Sequence, residues 1–191
     1  MKYDRYINNT VLNNCRRPQR KNWCAPITVG EVIENLMERH ISIDDIAKSM
    51  NWSPEAITEG KLGTKSIIDG VHKLSNNKIK SKVLNPSDIE EHWNRIKDHI
   101  KNKVLYYHEP GHHLLICGYV EEPLILKEDV WDHSNVGKTE YLCKRRWLIK
   151  AEHNVKTPEG VDQGIFVPLE YSKLCEILKE RKNSDLVLFY K

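Results

Sequence analysis

Residues His108 to Tyr119 read HEPGHHLLICGY. Two readings of this stretch exclude each other. Its first five residues match the zinc-protease pattern H-E-x-x-H, which requires a helix. Only a helical turn between the two histidines brings both nitrogens to one metal, with the glutamate beside them as general base. Its last eight residues have the look of a buried strand. Pro110 and Gly111 decide between the two. Proline inside a helix removes a hydrogen bond and clashes with the preceding turn, at about 3 kcal/mol, and glycine adds about 1 kcal/mol. The run Leu114-Leu115-Ile116-Cys117 is apolar on both faces, as in a central strand. Glu109-Pro110-Gly111 is therefore read as a turn, with His112 at the start of a strand that ends in Gly118-Tyr119. A zinc hydrolase using His108, Glu109 and His112 is the rival reading.

Working outward, the second half of the chain reads mainly as strands: Val104–Tyr107, His113–Tyr119, Leu124–Leu126, Trp147–Ile149, Ile165–Val167 and Leu186–Tyr190. One helix, Glu170–Arg181, interrupts them. The first half reads as helices. Ile27, Val29, Val32, Ile33, Leu36 and Met37 form an apolar stripe at helical spacing just after Cys24, and Pro26 sits in the first turn, where proline is tolerated. Ser42 with Asp45 caps a short helix, Ile43–Met50. Ser53-Pro54-Glu55 marks another helix start. A further stripe runs Ile67, Ile68, Val71, Leu74; Ile79–Leu84 reads as extended. Ser87 opens an amphipathic helix carrying Ile89, Trp93, Ile96 and Ile100. Helices first and strands later predict an α+β fold. The expected layout is one domain, residues 1–191, with a helical lobe about 19–101 packed on an antiparallel sheet lobe about 102–191.

The bulk numbers narrow the function classes. The chain has 191 residues, 39 % hydrophobic and 30 % charged, with 30 basic against 27 acidic side chains and a net charge of +3. That is the profile of a soluble globular protein, and the basic residues form no long run, so neither nucleic acid nor membrane is an expected partner. No stretch approaches the roughly 18 apolar residues of a membrane span. The N-terminus carries no apolar signal segment, which predicts a cytoplasmic protein or one exported without a recognisable signal. Five cysteines, an odd count at wide spacing with no C-x-x-C pair, point to reduced thiols.

One cysteine stands out. In Gln19-Arg20-Lys21-Asn22-Trp23-Cys24-Ala25-Pro26, Cys24 falls at the N-terminus of the first long helix. Free backbone N–H groups and the positive end of the helix dipole stabilise a thiolate there, and a neighbouring imidazolium lowers the thiol pKa further. The alternative is a small buried residue, which is how Cys117 and Cys175 read. His112 has the matching ambiguity. At the start of a strand it suits a general base; taken alone, a histidine satisfied by hydrogen bonds within the turn is the commoner case.

Taken together, Gln-x4-Cys at a helix start followed by Gly-His-x5-Gly-Tyr resembles the papain-like cysteine peptidases. The nearest likeness is to compact bacterial members, such as the peptidases that trim bacteriocin leaders and the papain-like effector proteases. The resemblance spans about Gln19 to Asn135, as sparse motifs in the right order. It implies a helical lobe followed by a sheet lobe, and a thiol protease acting through an acyl-enzyme on a protein or peptide substrate, with no metal or cofactor. Cys24 is then the nucleophile. His112, six residues before Gly118, is the general base, and His113, five before it, points to the opposite face of the strand. Gln19, one residue closer to the cysteine than the family spacing, donates to the oxyanion hole with the Cys24 N–H. The residue that orients the imidazole follows the next strand; Asp129, Asp132 and Asn135 compete, and Asp132 is favoured because compact members carry Asp there. The same machinery also performs deamidation or acyl transfer, and the fold can serve as a catalytically silent binding module.

Overall fold

The computed structural model describes residues 4–14, 23–53, 63–86, 89, 92–109, 111–122, 145–156, 162–180 and 185–191. The expected strand Leu124–Leu126 and the helix start at Pro54-Glu55 lie outside them. The elements are β1 (Asp4–Ile7), α1 (Asn9–Asn14), α2 (Cys24–Met37), α3 (Ile43–Ser49), α4 (Thr64–Leu74), β2 (Lys80–Val83), α5 (Trp93–Asn102), β3 (Val104–Glu109), β4 (His112–Glu121), β5 (Arg146–Lys156), β6 (Asp162–Glu170), α6 (Tyr171–Glu180) and β7 (Asp185–Tyr190). Seven strands form one antiparallel sheet in the order β2-β7-β3-β4-β5-β6, with β1 pairing the part of β4 beyond β3. The α+β class read from the sequence is what the chain adopts.

The described residues on either side of position 110 pair as adjacent antiparallel strands. Glu109 faces His112 and His108 faces His113 across the β3–β4 ladder, and Gly111 takes φ 82°, a backbone conformation that suits glycine. The helix that a zinc pair needs is absent. Facing residues of an antiparallel pair share a sheet face and successive residues alternate, so His108 and His112 stand on opposite faces and cannot share a metal.

Each face of the sheet carries its own core. Tyr106, Leu115, Cys117, Val187 and Phe189 pack against Ala25, Val29, Val32 and Ile33 of α2, with Ile46 of α3 and Ile67 and Val71 of α4. Leu105, Tyr107, Leu114, Ile116, Leu186 and Leu188 pack against Trp93, Ile96 and Ile100 of α5 and Leu174 and Leu178 of α6. The partition into a first-half helical lobe and a second-half sheet lobe thus blurs in space. Helix α5 lies on the face opposite α2, and β1 and β2 join the sheet. Local signals nevertheless act as read: Ser42 Oγ accepts from Asp45 N at 3.1 Å and caps α3. Among the described residues, no helix is long and apolar enough to cross a membrane.

Strand β4 contains a bulge. Ile116 faces Lys150 while Gly118 faces the next β5 residue back, Ile149, which leaves Cys117 as the extra residue. The carbonyl of Cys117 accepts from Asn8 N at 2.7 Å, so β1 and the turn after it satisfy the group that the bulge displaces. Lys97 of α5 holds this corner, reaching Asp4 at 2.8 Å and Glu121 at 3.1 Å. Close approach of β1 requires glycine at 118. A Cβ there would sit 2.6 Å from the Tyr6 carbonyl oxygen and 2.7 Å from Ile7 Cδ1. Gly118→Ala must push β1 backbone away, and the expected cost is about 1–3 kcal/mol. Urea unfolding of the variant measures it; an unchanged midpoint would show that β1 does not hold the bulge.

Candidate functional site

Cys24 is the first residue of α2, after Trp23 at the N-cap position. The ring of Trp23 packs on Trp52 at 4.4 Å between centroids, which ties this helix end to the segment following α3. The first backbone N–H groups of any helix have no intrahelical acceptor, so the thiol sits beside donors and the positive end of the dipole, as its sequence position predicts. Cys24 is a free thiol, 6 % exposed. One turn along α2, Thr28 Oγ1 donates to the backbone carbonyl of His113 at 3.3 Å. The start of α2 therefore lies on the start of β4.

The strand register decides which histidine looks towards that helix. His113 shares its face with Leu115 and Cys117, the face α2 covers; His112 shares its face with Glu109, Leu114 and Ile116. The expectation that the two side chains point opposite ways holds. The expectation that His112 points to the cysteine does not follow from this register. His112 stands half-buried across from Glu109, whose carboxylate reaches Lys150 Nζ at 3.3 Å on the same face. His113 is buried on the α2 side. Gln19, Asp129, Asp132 and Asn135 lie outside the described residues.

Around His113 the structure gathers polar residues that the sequence reading did not connect. Tyr106 Oη lies 2.7 Å from His113 Nδ1. The rings of His108 and His113 stack at 4.7 Å with planes 5° apart. Thr64, the first residue of α4, lies 3.2 Å from His108 Nδ1 and donates to Asp185 Oδ2 at 2.5 Å. Burial above all holds the Tyr106 phenol far above its ordinary range and keeps it protonated; Thr64 pulls the other way, and the negative charge of Asp185 adds to the rise. Burial likewise lowers the pKa of His108, against the opposing pull of Asp185 and Glu109. Two imidazolium charges at the stacking distance would repel by about 3.5 kcal/mol at an effective dielectric of about 20. At most one ring of the pair is therefore charged.

The signal for this cluster was in the sequence as a period of two. Tyr106 and His108 fall on one face of β3, and His113 on the facing position of β4. Nothing local to Thr64 or Asp185 announced their part. Among the described residues, no group of three or more His, Cys, Asp or Glu is arranged to hold a metal ion.

Two buried histidines make stability pH-dependent. Burial lowers the folded pKa of His99 and of His108 below the 6.5 of the free side chain, with Lys103 and Arg95 adding to the effect at His99. Above about pH 6.5 both are neutral folded and unfolded, and neither costs anything. Below it the unfolded chain binds the protons first, so stability falls with pH until the lowered folded values are passed, by at most about 1.4 kcal/mol per pH unit for each histidine. Denaturant titrations between about pH 7 and pH 5 should show this slope, and His99→Gln should flatten it; an unchanged slope would remove His99 as a source. No family model matches the chain, and no curated protein sequence matches it at a significant level.

Proposed function

We propose that the protein is a thiol hydrolase of papain-like design, a cysteine peptidase in which Cys24 is the nucleophile and a histidine of β4 is the general base. The observation that carries this reading is the docking of the Cys24 end of α2 on the start of β4, through the Thr28 hydrogen bond to the His113 carbonyl. It sets the helix that begins with Cys24 on the sheet face that carries the buried imidazole of His113. The register favours His113 over His112 as the base, because His113 stands on the face that α2 covers.

In this mechanism the imidazole takes the thiol proton, and the thiolate attacks the carbonyl carbon of a peptide or protein substrate. Negative charge develops on the carbonyl oxygen, where the Cys24 N–H donates, with Gln19 as a second donor. The imidazolium returns its proton to the leaving amine, which departs and leaves an acyl-enzyme. Water, deprotonated by the same imidazole, then releases the acid product and the free thiol. The chemistry needs no metal. The acyl donor and acceptor decide between peptide cleavage, deamidation and transfer.

Site-resolved alkylation tests both the pair and the base. The folded protein is treated with limiting iodoacetamide near pH 6 and adducts are mapped by mass spectrometry. At that pH an ordinary thiol of pKa about 8.5 is almost wholly protonated. Cys24 should label faster than any other cysteine, His113→Ala should slow it at least about tenfold, and His112→Ala should leave it within about twofold. Cys117 should not label at all, because burial, with Glu31 adding to it, pushes its thiol up to about 12. Slowing by His112→Ala alone would return the base to His112. If Cys24 labels no faster than Cys15, there is no thiolate–imidazolium pair and the fold serves binding instead.

A further inference from the structure

One edge of the sheet is open. Strand β2 ends the sheet order, with β7 on one side and, among the described residues, no strand on the other. The Leu84 N–H donates to the Leu186 carbonyl at 2.9 Å, which makes these two a hydrogen-bonded pair of the ladder. Such pairs alternate along antiparallel strands, so Lys82 with Leu188 and Lys80 with Tyr190 are the next two. Ser81 and Val83, lying between, turn their N–H and C=O groups away from β7, towards the open edge.

The side chains of this edge fall into two rows. Val83 shares a face with its partner Val187 and is 45 % exposed, the one exposed large hydrophobic side chain among the described residues. Lys80 and Lys82, both exposed, stand on the other face with Tyr190 and Leu188, the face that α5 covers. Lys103 Nζ lies 5.1 Å from the centre of the Tyr190 ring, which brings a third ammonium to that margin. In β2 and β7 the one carboxylate is Asp185, at the far end of β7 and engaged by Thr64. Lysine on an edge strand commonly serves to block pairing. It blocks selectively. A second copy of β2 would bring lysine rows together on one face, and like charges opposite each other destabilise a sheet, whereas carboxylates in the same places stabilise it.

We infer that the open edge of β2 is a docking site for an extended acidic segment of a partner protein, added to the sheet as a further strand. Its main chain pairs with Ser81 and Val83. Alternate Asp or Glu side chains meet Lys80, Lys82 and Lys103, and the apolar side chains between them cover Val83. Main-chain bonds then supply affinity and the alternate side chains supply the choice of partner. This goes beyond the thiol-hydrolase reading and does not rest on it.

The probe is a short fluorescein-labelled peptide that alternates valine with glutamate; the control carries lysine at each glutamate. In anisotropy titrations of the full chain at low salt, the acidic peptide should bind at least about tenfold more tightly than the control. Lys80→Glu combined with Lys82→Glu should reverse that order. Val83→Pro removes an outward N–H and none of the bonds to β7, and should weaken the acidic peptide at least about tenfold; Val83→Thr, which keeps the donor, should stay within about threefold. Amide hydrogen exchange in the free protein should be fast at Ser81 and Val83 and slow at Lys82, and saturating acidic peptide should slow the first two at least about tenfold. Slow exchange at Ser81 and Val83 in the free protein would mean that the edge is already filled, and overturns the proposal. Equal binding of the two peptides overturns it, as does an acidic peptide that Val83→Pro still holds unchanged, which is attraction by charge alone. A dimer of the free chain that Val83→Pro dissolves would give the edge to a second copy and overturn it too. The alkylation rate of Cys24 bears on the thiol-hydrolase reading alone.

Discussion

Strand β4 is covered on both faces, and that constraint orders the rest of the molecule. Leu114 and Ile116 enter one core, Leu115 and Cys117 the other, and each is buried almost completely. Burying an aliphatic side chain is worth roughly 1.5–3 kcal/mol. A slip of one residue in register would send four such side chains to the wrong core and carry His112 and His113 with them. Two different helical layers are thus needed, α2 to α4 on one side and α5 with α6 on the other. The bulge at Cys117 is possible because β1 is there to satisfy its carbonyl, and β1 can approach because residue 118 is glycine.

The polar cluster is the complement of those cores. Thr64, Tyr106, His108, His113 and Asp185 come from α4, β3, β4 and β7, and meet at one end of the sheet, on the face beneath α2. A buried group of this kind stabilises a fold only when each member is satisfied, and a half-made network is worse than an apolar one. Its members are satisfied in pairs, Thr64 bridging His108 and Asp185 and Tyr106 bonding His113. It therefore ties the start of α4 to the central strands more specifically than apolar contact would. On the other face, Tyr171 makes the comparable link, its hydroxyl donating to the Ile89 carbonyl and joining α6 to the segment before α5.

How much of this was legible in the sequence follows from the range of each interaction. The pairing of β3 with β4, the cap of α3 by Ser42 and the apolar stripe of α2 rest on residues near one another in the chain, and they were readable. Strand β1 was not, because Asp4–Ile7 has no alternation of its own and exists by pairing with residues more than a hundred positions away. Thr64 and Asp185 were invisible for the same reason: their contacts span 44 and 121 positions. The face on which each histidine falls is a subtler point. Counting back from Gly118 assumes an unbroken period of two, and the extra residue at Cys117 breaks it. Cys117 and Tyr119, two apart, lie in different cores. Counted across the bulge, the histidine on the α2 side is His113.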